Sequence, residues 1–559
     1  MNCSTRKEAM TNTARATSIT THVTSITTRV TSITTLDKGR GAPLSSIGNS
    51  RSLFILVLFL IAAPCTFGQI RAGQQTSPSQ AAQLPLSGRS GQTGSVTATE
   101  TAVPGTTTSV NTINPAIQVQ GPYSGSVPST GKLSFSGKLS LQDAVARAVE
   151  YNLGAIGLTQ AVRQSRGQAR VARSSLLPNL TANISETAQQ TNLRALGLRV
   201  SVPIAGFSFP TIVGPFNFFD VRASLSQTVF DLTTWNNYRS AREVQHANEQ
   251  SAEDARDLVV FAVSGAYVQV IASKAKVDSA RAQLETASTL LRQTSEQRNV
   301  GLVAQVDVNR AQVQALTQQQ RLLSLQNDLA KQKINLARLT GLPPTELYDI
   351  SDAVPYSAPP PITVETAIQQ AFEHRSDLKA AEAQVRAAER SSAAARAERL
   401  PSFSVSADYG VIGTNPSQSH GTFTVAGTIR IPIWQGGRTE GNIEQADATL
   451  IQRKAELDDV RGRIEAEVRN AYLDLQAATS QVELAMKNIQ VSDQNFDLTR
   501  QRFQAGVSDN LEVVQSQEAI ATARLDYING VFAHNLAKLS LARAIGRVAE
   551  NLPQFLKMQ

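Results

Sequence analysis

Between Asp458 and Gly546 one long helical stretch breaks sharply at Gln504-Ala505-Gly506-Val507-Ser508 and gives way to a second. The first stretch carries a seam of apolar or small residues: Ile464, Val468, Ala471, Leu475, Ala478, Val482, Ala485, Ile489, Ser492 and Phe496. The steps alternate four and three, the heptad spacing of a coiled coil. Subtracting 205 from each position gives Val259, Val263, Ala266, Val270, Ser273, Val277, Ala280, Leu284, Ala287 and Leu291, the same seam in the same register. The break repeats too, because Gly506 maps onto Gly301 in Asn299-Val300-Gly301-Leu302-Val303. The chain is an internal duplication built on two long helical hairpins.

Each hairpin is preceded by a shorter helical opening, and a second offset relates the two. Leu139-Ser140-Leu141-Gln142-Asp143 starts the first and Ile362-Thr363-Val364-Glu365-Thr366 the second, 223 residues later. The same offset carries Leu177-Pro178 onto Leu400-Pro401, where proline stops both openings and extended chain should follow. In the second repeat Phe403, Val405, Ala407, Tyr409 and Val411 alternate with Ser402, Ser404, Ser406, Asp408 and Gly410. After a Gly/Asn/Pro/Ser turn, Phe423, Val425, Gly427, Ile429 and Ile431 alternate with Thr422, Thr424, Ala426, Thr428 and Arg430. This period of two predicts strands with one apolar and one polar face. The first repeat repeats it more weakly, with Leu180, Ala182 and Ile184, then Val221, Ala223, Leu225 and Val229. About ten residues is the length of a tilted membrane-spanning strand. The insert Gln189 to Phe219 is expected to be a larger surface loop, with Phe216, Phe218 and Phe219 in an interfacial aromatic belt.

Four strands cannot close a barrel, and an open sheet in lipid leaves unpaired backbone groups that cost several kcal/mol each. Two copies would supply eight strands and three copies twelve, so a membrane reading requires oligomerisation. The run from Asp231 to Asn299 would make a rod of about 100 Å at 1.5 Å per residue, suited to crossing a wide compartment. Its seam spacing alone leaves open a hollow tube or a solid antiparallel coiled coil.

The remaining segments frame this core. Residues 1–50 are Thr/Ser-rich and read as a disordered, low-complexity extension. Residues 51–68 read as a secretory signal peptide, with an apolar run from Leu53 to Ala63 too short to span a membrane. Within it, Cys65 is a candidate for lipidation. Residues 69–138 are rich in Ser, Thr, Gly, Gln and Pro and read as a flexible linker. The two repeats then occupy 139–341 and 362–546, with an inter-repeat linker at 342–361 and a C-terminal tail at 547–559.

Composition narrows the chemistry. Aromatics make up 5% of the chain and hydrophobics 41%, which suits thin helical layers better than a thick core. Much of the net charge of +8 comes from Arg6, Lys7, Arg15, Arg29, Lys38, Arg40 and Arg51, outside the repeats. It argues for no nucleic-acid partner, and no basic stripe interleaved with aromatics supports one. The only cysteines are Cys3 and Cys65, and the five histidines are scattered. No HExxH, GxSxG or GxxxxGK[ST] spacing occurs, so the expectation is a non-enzyme without cofactor or metal.

Taken together, these residues resemble the outer membrane efflux proteins, the TolC-like exit ducts of Gram-negative bacteria. Gln297-Arg298-Asn299-Val300-Gly301-Leu302-Val303-Ala304 with Val306-Asp307-Val308 is similar to that family's first hairpin turn. Arg500-Gln501-Arg502-Phe503-Gln504-Ala505-Gly506-Val507-Ser508 with Leu511-Glu512-Val513 is similar to its second. Leu336-Ala337-Arg338-Leu339-Thr340-Gly341 and Leu541-Ala542-Arg543-Ala544-Ile545-Gly546 resemble its repeat endings. The resemblance implies a mainly α fold with membrane β: a duplicated helix–strand–strand–helix repeat, a trimeric twelve-stranded barrel and a long α-helical coiled-coil tunnel. It further implies outer membrane lipid as surroundings, a homotrimer, a periplasmic adaptor (membrane fusion) protein and an inner-membrane pump of RND, ABC or MFS type. Gly301, Leu302, Val303, Gly506, Val507 and Ser508 would form the periplasmic tips where an adaptor docks, and Asp307 and Glu512 would sit at the periplasmic aperture. Gln515 and Ser508 depart from the pattern, where some members carry a second acid and a basic residue. The function expected is a passive exit duct, and the rival reading is a non-conducting coiled-coil envelope scaffold.

Overall fold

The computed structural model of the chain describes residues 95–103, 112–128, 137–197, 210–345, 347–546 and 548–556. Residues 1–68, with the signal peptide and Cys65, lie outside them. In the first repeat α1 (Leu141–Tyr151) and α2 (Leu153–Ser174) lead to strands β4 (Asn179–Asn192) and β5 (Ile212–Phe230). The long α3 (Leu232–Asn299) and the returning α4 (Gln305–Thr340) follow. In the second repeat the order is α5 (Val364–His374), α6 (Ser376–Ala397), β7 (Ser402–Gly413), β8 (His420–Arg430), α7 (Arg438–Gln504) and α8 (Asn510–Ile545). The chain thus has the duplicated helix–strand–strand–helix plan, and α3 and α7 match in length at 68 and 67 residues.

The second-repeat seam is buried from Ile464 through Ala485 and half-buried at Ile489, Ser492 and Phe496. The first-repeat seam is buried from Val259 to Ala280 and beyond that departs by one residue at two positions. Ala287 stays buried as expected, while Gln283 and Leu290 are buried in place of the half-buried Leu284 and Leu291. Between Val259 and Val268 α3 is buried all round, because further elements cover its outer side. This accounts for its apolar, span-length stretch, 72% of which is buried inside the molecule.

Part of that cover comes from residues expected to be a flexible linker, and the expectation is corrected here. Within 69–138, β1 (Val96–Val103) and β2 (Thr112–Val119) form an antiparallel hairpin. Val96, Ile117 and Val119 pack on the core, and Ile117 lies so close over Gly265 that its Cδ1 leaves no room for a Cβ there. The residues from 548 on are likewise more than a tail. They form α9 (Val548–Phe555), which buries Val548, Leu552 and Phe555. The inter-repeat linker runs as a strap along α8, held by Lys538 Nζ to Ser357 Oγ (2.7 Å) and by the Tyr356 ring on His534. A short parallel pair, β3 (Lys138–Leu139) with β6 (Asp349–Ile350), ties its start to the first repeat.

Both opening helices are broken at matched positions, which the sequence patterns did not anticipate. Asn152 and Arg375 stand 223 residues apart, and each is a buried residue with extended backbone between two helices. The glycine ending each descending helix packs on that break. At Gly341 (φ 74°) an added Cβ would meet Tyr151 Cβ at 2.7 Å, and at Gly546 (φ 93°) it would meet Arg375 N at 3.2 Å. Left-handed backbone and close approach both require glycine there.

Around the second break lies a charge network centred on the buried Arg375. Arg375 grips Asp377 with Nε (3.0 Å) and Nη2 (2.7 Å) and reaches Glu467 on α7 with Nη1. Arg543 on α8 pairs with Asp254 on α3. Burial pushes the Asp254 carboxyl above its ordinary range, against the pull of Arg543. Burial works the same way on Asp377, but the Arg375 hydrogen bonds and charge hold it below that range.

Candidate functional site

The four long strands form one sheet in the order β4-β5-β7-β8, with antiparallel neighbours. Its register aligns the faces expected from alternation. One face carries the rows Leu180–Leu225–Ala407–Val425 and Ala182–Ala223–Tyr409–Phe423. The other carries Thr181–Ser224–Asp408–Thr424 and Asn183–Arg222–Gly410–Thr422. The apolar face is bare in the single chain: Leu180, Ile184, Tyr409, Phe423, Val425 and Ile429 are all exposed. On the polar face Arg222 bridges Asp408 (2.7 Å) and Asp220 (3.4 Å), a charge cluster that no sequence spacing had signalled. Among the described residues, the outer edges of β4 and β8 have no strand partner.

Two expectations about the first strand pair are corrected. The strands run to 14 and 19 residues instead of about ten, and β5 begins at Ile212. Phe216, Phe218 and Phe219 therefore lie in a strand, paired with Gln189, Thr187 and Glu186, and not in a loop. Of the three, only Phe219 falls on the face of Val221 and Leu225. The apolar-polar alternation had been traced only as far as Val221, and backbone pairing continues past it.

At the opposite end of the long helices, both turns are built alike. The Gly301 N–H donates to Arg298 O (3.0 Å) and the Leu302 N–H to Gln297 O (2.9 Å). The Gly506 N–H donates to Phe503 O (3.0 Å) and the Val507 N–H to Arg502 O (2.9 Å). This is the Schellman pattern, which places a left-handed residue just beyond the helix. Gly301 and Gly506 have φ of 78° and 72°, and neither has a neighbour within 4 Å of an added Cβ. Conformation alone demands glycine at these two positions. Val300, Leu302 and Val507 stand exposed at 70–75% of their surface, so the tips present apolar side chains to their surroundings. Val303 and Ser508 are half-buried beside them.

The structure brings Asp307 and the second tip together, but through backbone. Asn510 Nδ2 donates to the carbonyl oxygen of Asp307 (3.0 Å), while the Asp307 carboxylate pairs with Arg310 (3.3 Å). Glu512 is held inside its own hairpin. The Ser508 hydroxyl donates to its carboxylate (2.6 Å), and Arg502 lies 3.5 Å away. Arg502 thus supplies the positive charge that Ser508 lacks. Asp509 caps α8 through the N–H groups of Leu511 and Glu512. The two hairpins are further joined by Leu290, Phe503 and Val513, and by Glu518 with Gln318 and Arg321. Sequence reasoning missed Asn510, Arg502 and Glu518. Of these only Arg502 lay within a recognised motif, and the Asn510 and Glu518 contacts join residues about 200 positions apart.

Known proteins share this architecture. The sequence profile described as outer membrane efflux protein matches residues 158–342 and 367–547, one block per repeat. The pyoverdine export outer membrane protein OpmQ of Pseudomonas aeruginosa is 23% identical over 397 residues, covering 69% of this chain and 80% of its own. The outer membrane protein TolC of Escherichia coli is 21% identical over 394 residues, covering 68% and 76%. The crystal structure of the outer membrane protein VceC from Vibrio cholerae superposes with a TM-score of 0.62 at 20% identity, over 73% of this chain and 96% of that one. With the profile matched on both repeats and the duplicated strand-and-helix plan in place, the chain belongs to the outer membrane efflux protein family.

Proposed function

We propose that the chain is the exit duct of a tripartite efflux or type I secretion system. Three copies share one barrel, and their helices continue it as a tunnel into the periplasm. The observation that carries this reading is the sheet: four strands, two edges unpaired among the described residues, and one mainly apolar face. Such a sheet satisfies its backbone in lipid only by joining further copies of itself. The duct is passive, and an inner-membrane pump of RND, ABC or MFS type, linked by a periplasmic adaptor, supplies the energy. The relatives' names point the same way, since OpmQ is named for pyoverdine export.

In this reading the tips around Gly301, Leu302, Val303, Gly506, Val507 and Ser508 dock the adaptor through their exposed apolar residues. Asp307 and Glu512 lie at the closing end, and opening has to part the Asn510–Asp307 contact and the Glu518 pairs. The Glu518 pair with Arg321 is partly exposed, so it contributes at most about 1 kcal/mol and yields readily to a docking partner.

The first test is the protein mass of the detergent-extracted particle by light scattering, expected near three chains. A monomer that stays soluble without detergent would refute the duct and restore the scaffold reading. The tip assignment has its own test. Gly506→Pro forces φ to about −65° and removes an N–H that bonds Phe503 O. The expected result is loss of export with normal amounts of protein in the membrane. Undiminished export by this variant would show that the turn is not the docking point.

A further inference from the structure

We infer that Phe216 and Phe218, with Ile412, form an apolar collar inside the barrel at its outer rim and set which solutes pass there. This deepens the duct reading above and rests on it.

Register carries the inference. Along β5 the even-numbered residues Ser224, Arg222 and Asp220 lie on the polar face, paired with Thr181, Asn183 and Ser185 of β4. Phe218 and Phe216 continue that same row of alternate residues, opposite Thr187 and Gln189, before the register shifts beyond Gln189. Ile412 on β7 pairs with Asp220 and is therefore diagonal to Phe218. Diagonal neighbours lie about 7–8 Å apart, within reach of an aromatic ring. The three are the large apolar residues of a face otherwise made of Ser, Thr, Asn, Gln, Asp, Arg, His, Gly and Ala.

Position adds a second argument. The pairing of β5 with β7 ends at Phe219–Gly413, while β4 and β5 stay paired outward to Asn192 and Ile212. Phe216 and Phe218 sit where this hairpin leaves the four-stranded sheet, at the end away from the helices. A lipid belt would need them on the face of Leu225 and Val221, and Phe219 is the one that meets this condition. In a closed barrel three such pairs converge on the lumen, where apolar constrictions obstruct bulky, hydrated solutes. Apolar and aromatic solutes meet a surface of their own kind and pass.

The test is polymer exclusion on the full-length particle in a planar bilayer. Neutral hydrophilic polymers of graded size, added on the barrel side only, lower the current when they enter the lumen. The Phe216→Ala/Phe218→Ala double variant is expected to admit larger polymers than the parent, and Phe219→Ala is expected to keep the parental cut-off. An unchanged cut-off in the double variant, or an equal shift in Phe219→Ala, overturns the collar. Should the double variant assemble poorly, Phe218→Trp provides the opposite arm, with the cut-off moving to smaller polymers and an unmoved one counting against the collar. A particle that carries no current even with the closing contacts removed by Asn510→Ala and Glu518→Ala would instead refute the duct itself.

Discussion

Val425→Arg is expected to abolish assembly in the outer membrane, while Thr424→Arg, one residue away, assembles. Val425 stands midway along β8 on the apolar face, paired with Ala407, and is exposed in the single chain. An arginine on the lipid face at the bilayer midplane costs about 2–4 kcal/mol, so the three copies of the proposed trimer would cost roughly 6–12 kcal/mol. A sum of that size is comparable to the net stability of an ordinary domain, about 5–15 kcal/mol. Thr424 points to the opposite face and pairs with Asp408, which would meet the new guanidinium with a carboxylate. The measurement is the amount of heat-modifiable oligomer in the outer membrane fraction. Normal assembly of Val425→Arg combined with failure of Thr424→Arg would mean that the two faces are exchanged.

This contrast could be drawn from sequence alone, because strand sidedness is a local property. The alternation in Phe403–Val411 and Phe423–Ile431 needs only that one face meets lipid and the other water. The hairpin turns were legible for a similar reason, since a left-handed residue after a helix asks for glycine whatever surrounds it. The helical seams were legible as far as helices pack in simple pairs. Beyond Ala280 Gln283 and Leu290 are buried in place of Leu284 and Leu291, where the neighbours of α3 include the second hairpin.

What escaped the sequence depends on partners far along the chain. The hairpin of β1 and β2 has a Thr-rich first strand, and its order comes from docking Ile117 over Gly265. No local pattern distinguishes such a strand from a linker. The breaks at Asn152 and Arg375 are marked by neither proline nor glycine. Asn152 is held by donating to Tyr123 O and capping Gly154, and Arg375 by carboxylates on two helices. At the tips, the recognised acids Asp307 and Glu512 proved less telling than Asn510, which spans the hairpins through a backbone oxygen that carries no residue identity.

Arg375→Met is expected to be the most damaging single change in the helical body. Arg375 is 3% exposed, and its guanidinium serves Asp377 with two hydrogen bonds and Glu467 with a third. Breaking a buried ion pair by removing one partner costs about 3–5 kcal/mol, because the other charge stays buried without compensation. Here the charge left behind is Asp377, which already raises Asp254 beside it and keeps only Arg463, at 3.8 Å, and the charge of Arg543 as charged partners. Glu467 is nearly half exposed and can turn to water, so it adds little to the loss. The pH dependence follows from the signs. In the parent Asp377 titrates below its ordinary range, so its stabilisation is present above the unfolded carboxylate range and is lost as pH falls through the lower folded value. In the variant Asp377 loses Arg375 and keeps only Arg463 and the charge of Arg543, so less of that stabilisation remains to be lost as pH falls. The gap in helical melting temperature between parent and variant, followed by circular dichroism in detergent, is therefore expected to be widest near neutral pH. It should narrow as pH falls through the carboxylate range. Asp377→Asn placed on top of Arg375→Met removes the stranded charge and should recover part of the loss at neutral pH. A gap that stays constant with pH, or a double variant no better than the single one, would show that Arg375 acts by filling space and not by charge.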